Sequence, residues 1–538
     1  MKSSLAFVLP SLAFAVSIHA QPDRPTAAET AFPQTEPLAA GPFQPTWASL
    51  QTYKTPEWFR DAKFGIWAHW GPQCQPEMGD WYARFLYEPA QKRPWARAVY
   101  AFHLARYGHP SEFGFKDVIR TWRAENWDPE KLMALYRRAG AGYFMALANH
   151  HDNFDLWDSK YQTWNAARLG PGKDLVAGWA AAARRAGLRF GVSVHAARAW
   201  EWYEPSRGAD SAGPFAGVPY DGSLTAADGR GRWWDGLDPQ DLYAQNHAPN
   251  AKPSPAYRNK FFNRTLDLIN RYDPDLVYFD DTVLPFYPET DLGLKIAAHF
   301  YNASLARHSG KLEAVLNGKQ LTEPQRHAMV YDLERGKSPG ILPLPWQTDT
   351  CIGSWHYDRS LYEQDRYKTA PEIIRMLVDI VSKNGNLMLN IPLRGDGTAD
   401  PAEIAILGDI AAWMDLNRIA IFATRPWRIY GEGPSTVAAV EKGSFDGIKD
   451  TGQFTAEDIR FTASKDGHTL FAIFMDRPTG PAHVTIASLT SADRIADVSM
   501  LGGHQRLAWV TSSAGLTVTL AETHSVAGPC VLQITLAP

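Results

Sequence analysis

The sequence predicts an α/β protein in two parts: a (β/α)8-like barrel over residues 48–420, then a small antiparallel β-sandwich over residues 421–538. Three observations predict it. From Pro56 to about residue 420, helix-period segments alternate with short continuous apolar runs, the pattern of a parallel sheet covered by helices. Polar, titratable residues collect at the C-terminal ends of those runs, where barrel enzymes carry their chemistry, and no Gly-rich phosphate loop marks the switch point of an open doubly wound sheet. Beyond residue 420 the helical period vanishes, and runs such as HTLFAIFM, AHVTIAS and LTVTLAE follow one another between turn residues.

Element by element, residues 1–20 carry Lys2, an apolar stretch and a small residue at Ala20, the pattern of a cleavable signal peptide rather than a membrane span. Residues 21–47 are rich in Pro, Ala, Thr and Gln and read as a linker or surface arm. KFGIWAHW (63–70) is a strand with a polar end. Asp128-Pro129-Glu130 supplies an N-cap, an N1 proline and a first-turn acid for a helix ending at Gly140. A strand at 143–148 follows, then a helix at 173–187 and a strand at 188–195. A helix at 259–272 leads into a strand at 275–281. Strands at 311–318 and 329–336, a helix at 371–385, a strand at 386–392 and a closing helix at 402–417 complete the series. Residues 196–257, with Trp200, Trp202, Trp233 and Trp234 among Gly, Pro and Asp, interrupt it as a long loop over the barrel mouth.

Composition narrows the function. A net charge of −4 offers no basic footprint for nucleic acid or an anionic membrane. No later segment is apolar for long enough to span a bilayer, so export places the chain outside the cell or in a periplasm. Three cysteines allow at most one bridge, and Cys74–Cys351 is a conceivable pairing. Asn263 and Asn302 head glycosylation sequons. The 20 tryptophans fit either an aromatic cleft that stacks on sugar rings or a Trp-rich core.

The polar strand ends are His69, His150, His151, His195, Asp280, Asp281 and Glu334. Three chemistries compete for them. A catalytic metal is disfavoured, because adjacent histidines on an extended segment diverge and no metalloprotease-like spacing is present. A structural network of histidines and acids satisfying one another is the second. Glycoside hydrolysis is the third: one carboxylate attacks while another protonates the leaving oxygen, in a pocket of donors and aromatic faces.

The stretches KFGIWAHWGP (63–72), GDWYARF (79–85), ANHHDNFDLWDSKYQTWN (148–165), LRFGVSVH (188–195), DLVYFDD (275–281) and SKNGNLMLNIP (382–392) resemble, in order, the glycoside hydrolase family 29 α-L-fucosidases. The resemblance spans roughly residues 50–430 and extends to the smaller C-terminal β domain. It implies an exo-acting, retaining enzyme on a (β/α)8-like barrel that forms a covalent fucosyl-enzyme and needs no metal or cofactor. Its partner would be a fucosylated oligosaccharide or glycoconjugate.

Carried over residue by residue, the resemblance makes Asp280 of Val277-Tyr278-Phe279-Asp280 the nucleophile, in preference to Asp281, since neighbours on a strand diverge. Glu334 of YDLERG is the general acid/base, its pKa raised by the negative nucleophile. Gln347 of PWQTDT, an amide, cannot donate such a proton, and Asp80 of GDWY is the reserve. His69, His150 and His151 match the family's sugar-binding histidines, and Trp81 and Tyr82 an aromatic position near the sugar. Tyr278 replaces the family's tryptophan beside the nucleophile, and His195 ends its strand where relatives have tyrosine or serine. The family's Lys-His-His-Asp-Gly reads Asn149-His150-His151-Asp152-Asn153 here, a changed loop around retained histidines. A glycosidase for a related sugar such as L-galactose, or a non-catalytic sugar-binding barrel, are the alternatives.

Overall fold

The structure, a computed structural model, describes residues 36–437, 447–449, 452–477, 482–503, 507–520 and 528–537. The signal peptide expected over residues 1–20 lies outside them.

Eight parallel strands form a closed barrel: β1 Phe64–Ala68, β2 Tyr143–Asn149, β3 Arg189–Val194, β4 Leu276–Phe279, β5 Val315–Lys319, β6 Val330–Asp332, β7 Trp346–Cys351 and β8 Gly385–Asn390. They pair in chain order, and β1 closes the ring on β8 with Phe64 opposite Leu387. Seven coincide with the apolar runs of the sequence. The eighth, β7, reads WQTDTC and has no such run, because its alternate side chains enter a polar barrel interior. Tyr143 Oη donates to Gln347 Oε1 (2.9 Å), Gln347 Nε2 to Asp332 Oδ2 (2.6 Å) and Tyr278 Oη to Asp349 Oδ2 (2.7 Å). Gly65 admits this arrangement, since a Cβ there would stand 2.2 Å from the Tyr143 ring.

The helices begin as their caps dictate. Asp128 and Asp174 accept from the backbone N–H groups of Lys131 and Ala177, and Thr369–Glu372 and Asp400–Glu403 form capping boxes. The helix Leu292–Arg307 has no counterpart in the sequence reading. It buries residues all round, so no single apolar face stands out.

The described part of the N-terminal arm lies across this helix and the helix Pro255–Tyr272. The Glu36 N–H donates to Asn263 Oδ1 (3.1 Å), the Ala39 N–H to His299 Nδ1 (2.9 Å) and the Phe43 N–H to Asn302 Oδ1 (3.0 Å). Both sequon asparagines are therefore buried under the arm rather than displayed to a glycosylating enzyme. Cys74 and Cys351 do not pair; their thiols face the carbonyls of His69 and Gly353.

The C-terminal part is a sandwich of a five-stranded and a three-stranded antiparallel sheet. Phe461, Leu470 and Leu532 of the first meet Ile486, Leu516 and Val518 of the second. The other face of the five-stranded sheet joins the barrel core through Phe471, Ile473 and Val531. At that junction Asp379 accepts from Arg460 Nε (2.6 Å) and Lys383 Nζ (2.8 Å), with Lys337 Nζ at 3.4 Å. Burial opposes its ionisation, but the three cations outweigh burial and hold Asp379 well below the usual carboxylate range.

Eleven of the tryptophans are buried, and four (Trp67, Trp81, Trp95 and Trp355) line the cavity described below, so tryptophan content here is mainly a matter of core packing.

Candidate active site

A cavity of about 350 Å³ opens at the C-terminal mouth of the barrel. That volume lies in the range of small-molecule sites. It is lined by residues from the ends of β1 to β5 and by the segments after β6 and β7, as the strand-end chemistry anticipates.

His69 follows β1. Its ring packs on Trp67, centroids 4.1 Å apart, and its Nδ1 has no partner. His150 and His151 follow β2. The sequence predicted that adjacent histidines diverge, yet both line the cavity, ring centroids 4.5 Å apart. The strand ends before them: pairing with β3 slips between Leu147 and Asn149, and the chain turns through Asn153 at φ +61°. Asn149 fixes that turn, accepting from the backbone N–H groups of His195 and Ala196 (3.0 and 3.1 Å) and donating to Asp155 (2.9 Å).

The hydrogen bonds assign roles to the rings. Ala83 N–H donates to Gln73 Oε1, so the Gln73 amide nitrogen donates to His150 Nδ1 (2.9 Å), and His150 Nε2 carries the proton. His151 Nδ1 faces the carbonyl of His195 (2.8 Å) and its Nε2 faces Asp280 Oδ2 (3.2 Å). Burial pushes His69 and His150 well below the ordinary imidazole range, their histidine neighbours adding to it, and holds His195 at about 4. Neutral imidazoles that both donate and accept suit a polyhydroxylated ligand.

Ring nitrogens of His69, His150 and His195 lie within 4.8 Å of one another, as do ligand atoms of His151, His195 and Asp280, near enough to share a metal. His150 fits that poorly: one nitrogen is taken by Gln73 and the other bears the proton, so neither offers a free lone pair.

Asp280, just past β4, is the most engaged carboxylate. Lys319 Nζ lies 2.7 Å from its Oδ1, and His151 Nε2 and His195 Nδ1 each lie 3.2 Å from its Oδ2. Burial opposes its ionisation, yet Lys319 and the two histidines hold it well below the usual carboxylate range. Asp281 also faces the cavity, but burial first, and then the charge of Asp280, push its carboxyl up to about 7, and its Oδ2 has no partner. Glu334 lies two residues beyond β6, where Arg335 at φ +49° turns the chain. The same Lys319 Nζ sits 2.5 Å from Glu334 Oε2. Burial, with Asp349 and Asp280 adding to it, raises Glu334 to about 7 against the pull of Lys319. One ammonium thus bridges a carboxylate held ionised and a carboxyl held protonated up to neutrality.

Asp80 lines the cavity but is tied to the loop after β7, accepting from the His356 N–H (2.8 Å). Trp81 lines it at 38% exposure, held at φ +63°, a conformation costly for a side chain of that size. Tyr278 contributes a buried ring packed on Trp67 (4.7 Å). Tyr82 does not reach the cavity. It is fully buried on the other side of its short helix, its hydroxyl on His103 Nδ1 (2.6 Å). From the long loop, Trp202 stands beside His150 and His151 (6.1 and 5.7 Å). Tyr87, Tyr243 and Lys116 anchor that loop on the buried Asp221 (2.6, 2.7 and 3.1 Å).

Sequence reasoning missed Lys319, Trp67, Trp355 and Asp349. Lys319 was within reach of the rule that found the others: it is the polar end of the run KLEAVLNG, one residue further on. Trp355 and Asp349 belong to β7 and its loop, and were lost with that strand.

Paired carboxyls and sugar-suited donors at the mouth of a β/α barrel define a glycoside hydrolase site. Comparison with known proteins agrees. The family model described as alpha-L-fucosidase matches residues 30–418, and that of the alpha-L-fucosidase C-terminal domain matches residues 452–537. The chain belongs to the α-L-fucosidase family. It is 27% identical over 495 residues to the tissue alpha-L-fucosidase of Rattus norvegicus, covering 90% of both chains. It is 26% identical over 496 residues to the plasma alpha-L-fucosidase of Homo sapiens, covering 91% of this chain and 90% of that one. Among solved structures it resembles the Thermotoga maritima alpha-fucosidase in complex with fucose, with a TM-score of 0.66 and 25% identity over 92% of this chain and 100% of that one.

Proposed function

We propose that this chain is an exo-acting, retaining α-L-fucosidase that releases terminal L-fucose from glycans through a covalent fucosyl-enzyme. Asp280 is the nucleophile and Glu334 the general acid/base. In the first step an Asp280 oxygen bonds to the anomeric carbon as the glycosidic C–O bond breaks, and the Glu334 proton passes to the departing oxygen. In the second, the Glu334 carboxylate takes a proton from water, whose oxygen displaces Asp280 and restores the original anomeric configuration. His69, His150, His151 and His195 bind the sugar's hydroxyls, and Trp67, Trp81 and Tyr278 supply aromatic walls.

The observation that carries this reading is the shared Lys319. Two carboxyl oxygens held 2.7 and 2.5 Å from one nitrogen are close neighbours. These two oxygens stand no more than about 5 Å apart, which accommodates the roughly 5–5.5 Å of a retaining pair. Their opposed pKa directions suit the two roles. Asp80, bound instead to the backbone after β7, lacks that link to the nucleophile. Residues 1–20 support export by a signal peptide, which N-terminal sequencing of the secreted or periplasmic protein tests.

The test is hydrolysis of an aryl α-L-fucoside by wild type, Asp280→Gly and Glu334→Ala with added azide. Wild type cleaves it. Azide restores Asp280→Gly with an inverted fucosyl azide, and Glu334→Ala with a retained one. An inert wild type refutes the activity, and a Glu334→Ala enzyme of full activity refutes the acid/base assignment.

A further inference from the structure

A larger cleft, of about 880 Å³, adjoins the active-site cavity. The two share Asp80 and Trp95, so one runs into the other along these side chains. Its walls come from residues 75–80 after β1, the helix Pro94–Arg106, residues 354–363 after β7 and residues 395–396 after β8. Three of these segments follow C-terminal strand ends, so the cleft lies on the face where barrel enzymes assemble their substrates. At the junction Trp95 is 48% exposed, its ring at right angles to Phe85 (4.7 Å) and with the Arg93 guanidinium reaching over it (5.8 Å). Phe102 and Tyr107 extend that apolar wall.

The charge of the cleft is one-sided. Glu125, Asp358, Glu363 and Asp396 join Glu77 and Asp80 along its lining, against Arg106 and Arg359. Arg359 is paired with Glu77. Carboxylates that face a groove accept hydrogen bonds from hydroxyls and repel anions.

Building on the fucosidase reading, we infer that this cleft holds the saccharide from which fucose is released, and that it selects neutral glycans against sulfated or uronic-acid-bearing ones. Trp95 stacks the first sugar beyond the scissile bond, and the acidic walls take the hydroxyls of those that follow.

The experiment compares kcat/KM of wild type and of the double variant Glu125→Arg/Glu363→Arg on three substrates. These are an aryl α-L-fucoside, a neutral fucosylated oligosaccharide, and the same oligosaccharide sulfated on a sugar other than fucose. Wild type should prefer the neutral oligosaccharide by about tenfold or more at low salt, which corresponds to roughly 1.4 kcal/mol, and added salt should shrink the preference. The variant should lose or reverse it while cleaving the aryl fucoside as wild type does. Equal kcat/KM for neutral and sulfated substrates in wild type, or an unchanged preference in the variant, overturns the inference. If the aryl fucoside is not cleaved at all, the fucosidase reading is what has failed. Calorimetric titration with the defucosylated neutral and sulfated oligosaccharides then decides the cleft: selective binding of the neutral one supports it, and equal or absent binding overturns it.

Discussion

Replacing Glu334 by glutamine separates the proton this residue holds from the shape it fills. The folded protein raises the Glu334 carboxyl from 4.5 to about 7, burial being the main cause. A carboxyl with a raised folded pKa binds its proton more tightly in the native state, so stability is greatest in acid and falls as pH rises between the two values. At 1.36 kcal/mol per unit, ionising this one group costs the fold about 3 kcal/mol by pH 8. Glutamine does not titrate. The unfolding free energy of Glu334→Gln relative to wild type should therefore climb by about 3 kcal/mol between pH 4.5 and 7.5 and level off above, which paired urea titrations across that range measure. In the same preparations, aryl fucoside hydrolysis by wild type should hold a plateau on the acid side and fall above about pH 7 as Glu334 loses its proton. The variant should be slower by about 10²–10⁴-fold with that limb gone. A stability difference independent of pH, or an alkaline limb that survives the substitution, refutes the reasoning.

His150→Ala removes a cavity donor and should lower kcat/KM by about 10- to 100-fold while leaving the circular dichroism spectrum native, consistent with one or two hydrogen bonds to a sugar. Lys319→Met leaves Asp280 and Glu334 facing each other without their shared cation, so it should destabilise the protein by about 3–5 kcal/mol at pH 8. It should destabilise less at pH 5, where Glu334 is protonated; chemical denaturation at the two pH values checks this. Asp379→Asn strands Arg460, Lys383 and Lys337 at the barrel–sandwich junction and should cost about 3–5 kcal/mol at neutral pH. Because the Asp379 pKa is depressed, that cost should fade as pH drops below the ordinary aspartate value of 3.8, which thermal melts in acid would record. Gly65→Ala drives a methyl into the Tyr143 ring and should lower stability by about 1–3 kcal/mol or more, read from the melting temperature.

The barrel was legible because seven of its strands are buried on both faces and so appear as apolar runs, and because each following helix announces itself by a cap such as Asp128 or Asp174. Strand β7 was not legible. Gln347 and Asp349 point into a polar interior formed by Tyr143, Tyr278 and Asp332, residues distant in sequence, and local patterning carries no trace of such partners. With β7 went Trp355, and the sequence left open whether Cys74 and Cys351 pair, since a spacing cannot say which way two thiols face.

Family resemblance and the strand-end rule picked out Asp280, Glu334 and the four histidines from the sequence, because a parallel barrel brings every strand end to one mouth whatever the details of packing. Only the tertiary structure decided how they act. Lys319 binds both carboxyls, Gln73 selects the tautomer of His150, and Tyr82 turns away to His103. Each depends on distances between segments that meet only when the chain folds. A periodic pattern records which face of an element is buried, whereas a proton's position depends on what stands opposite.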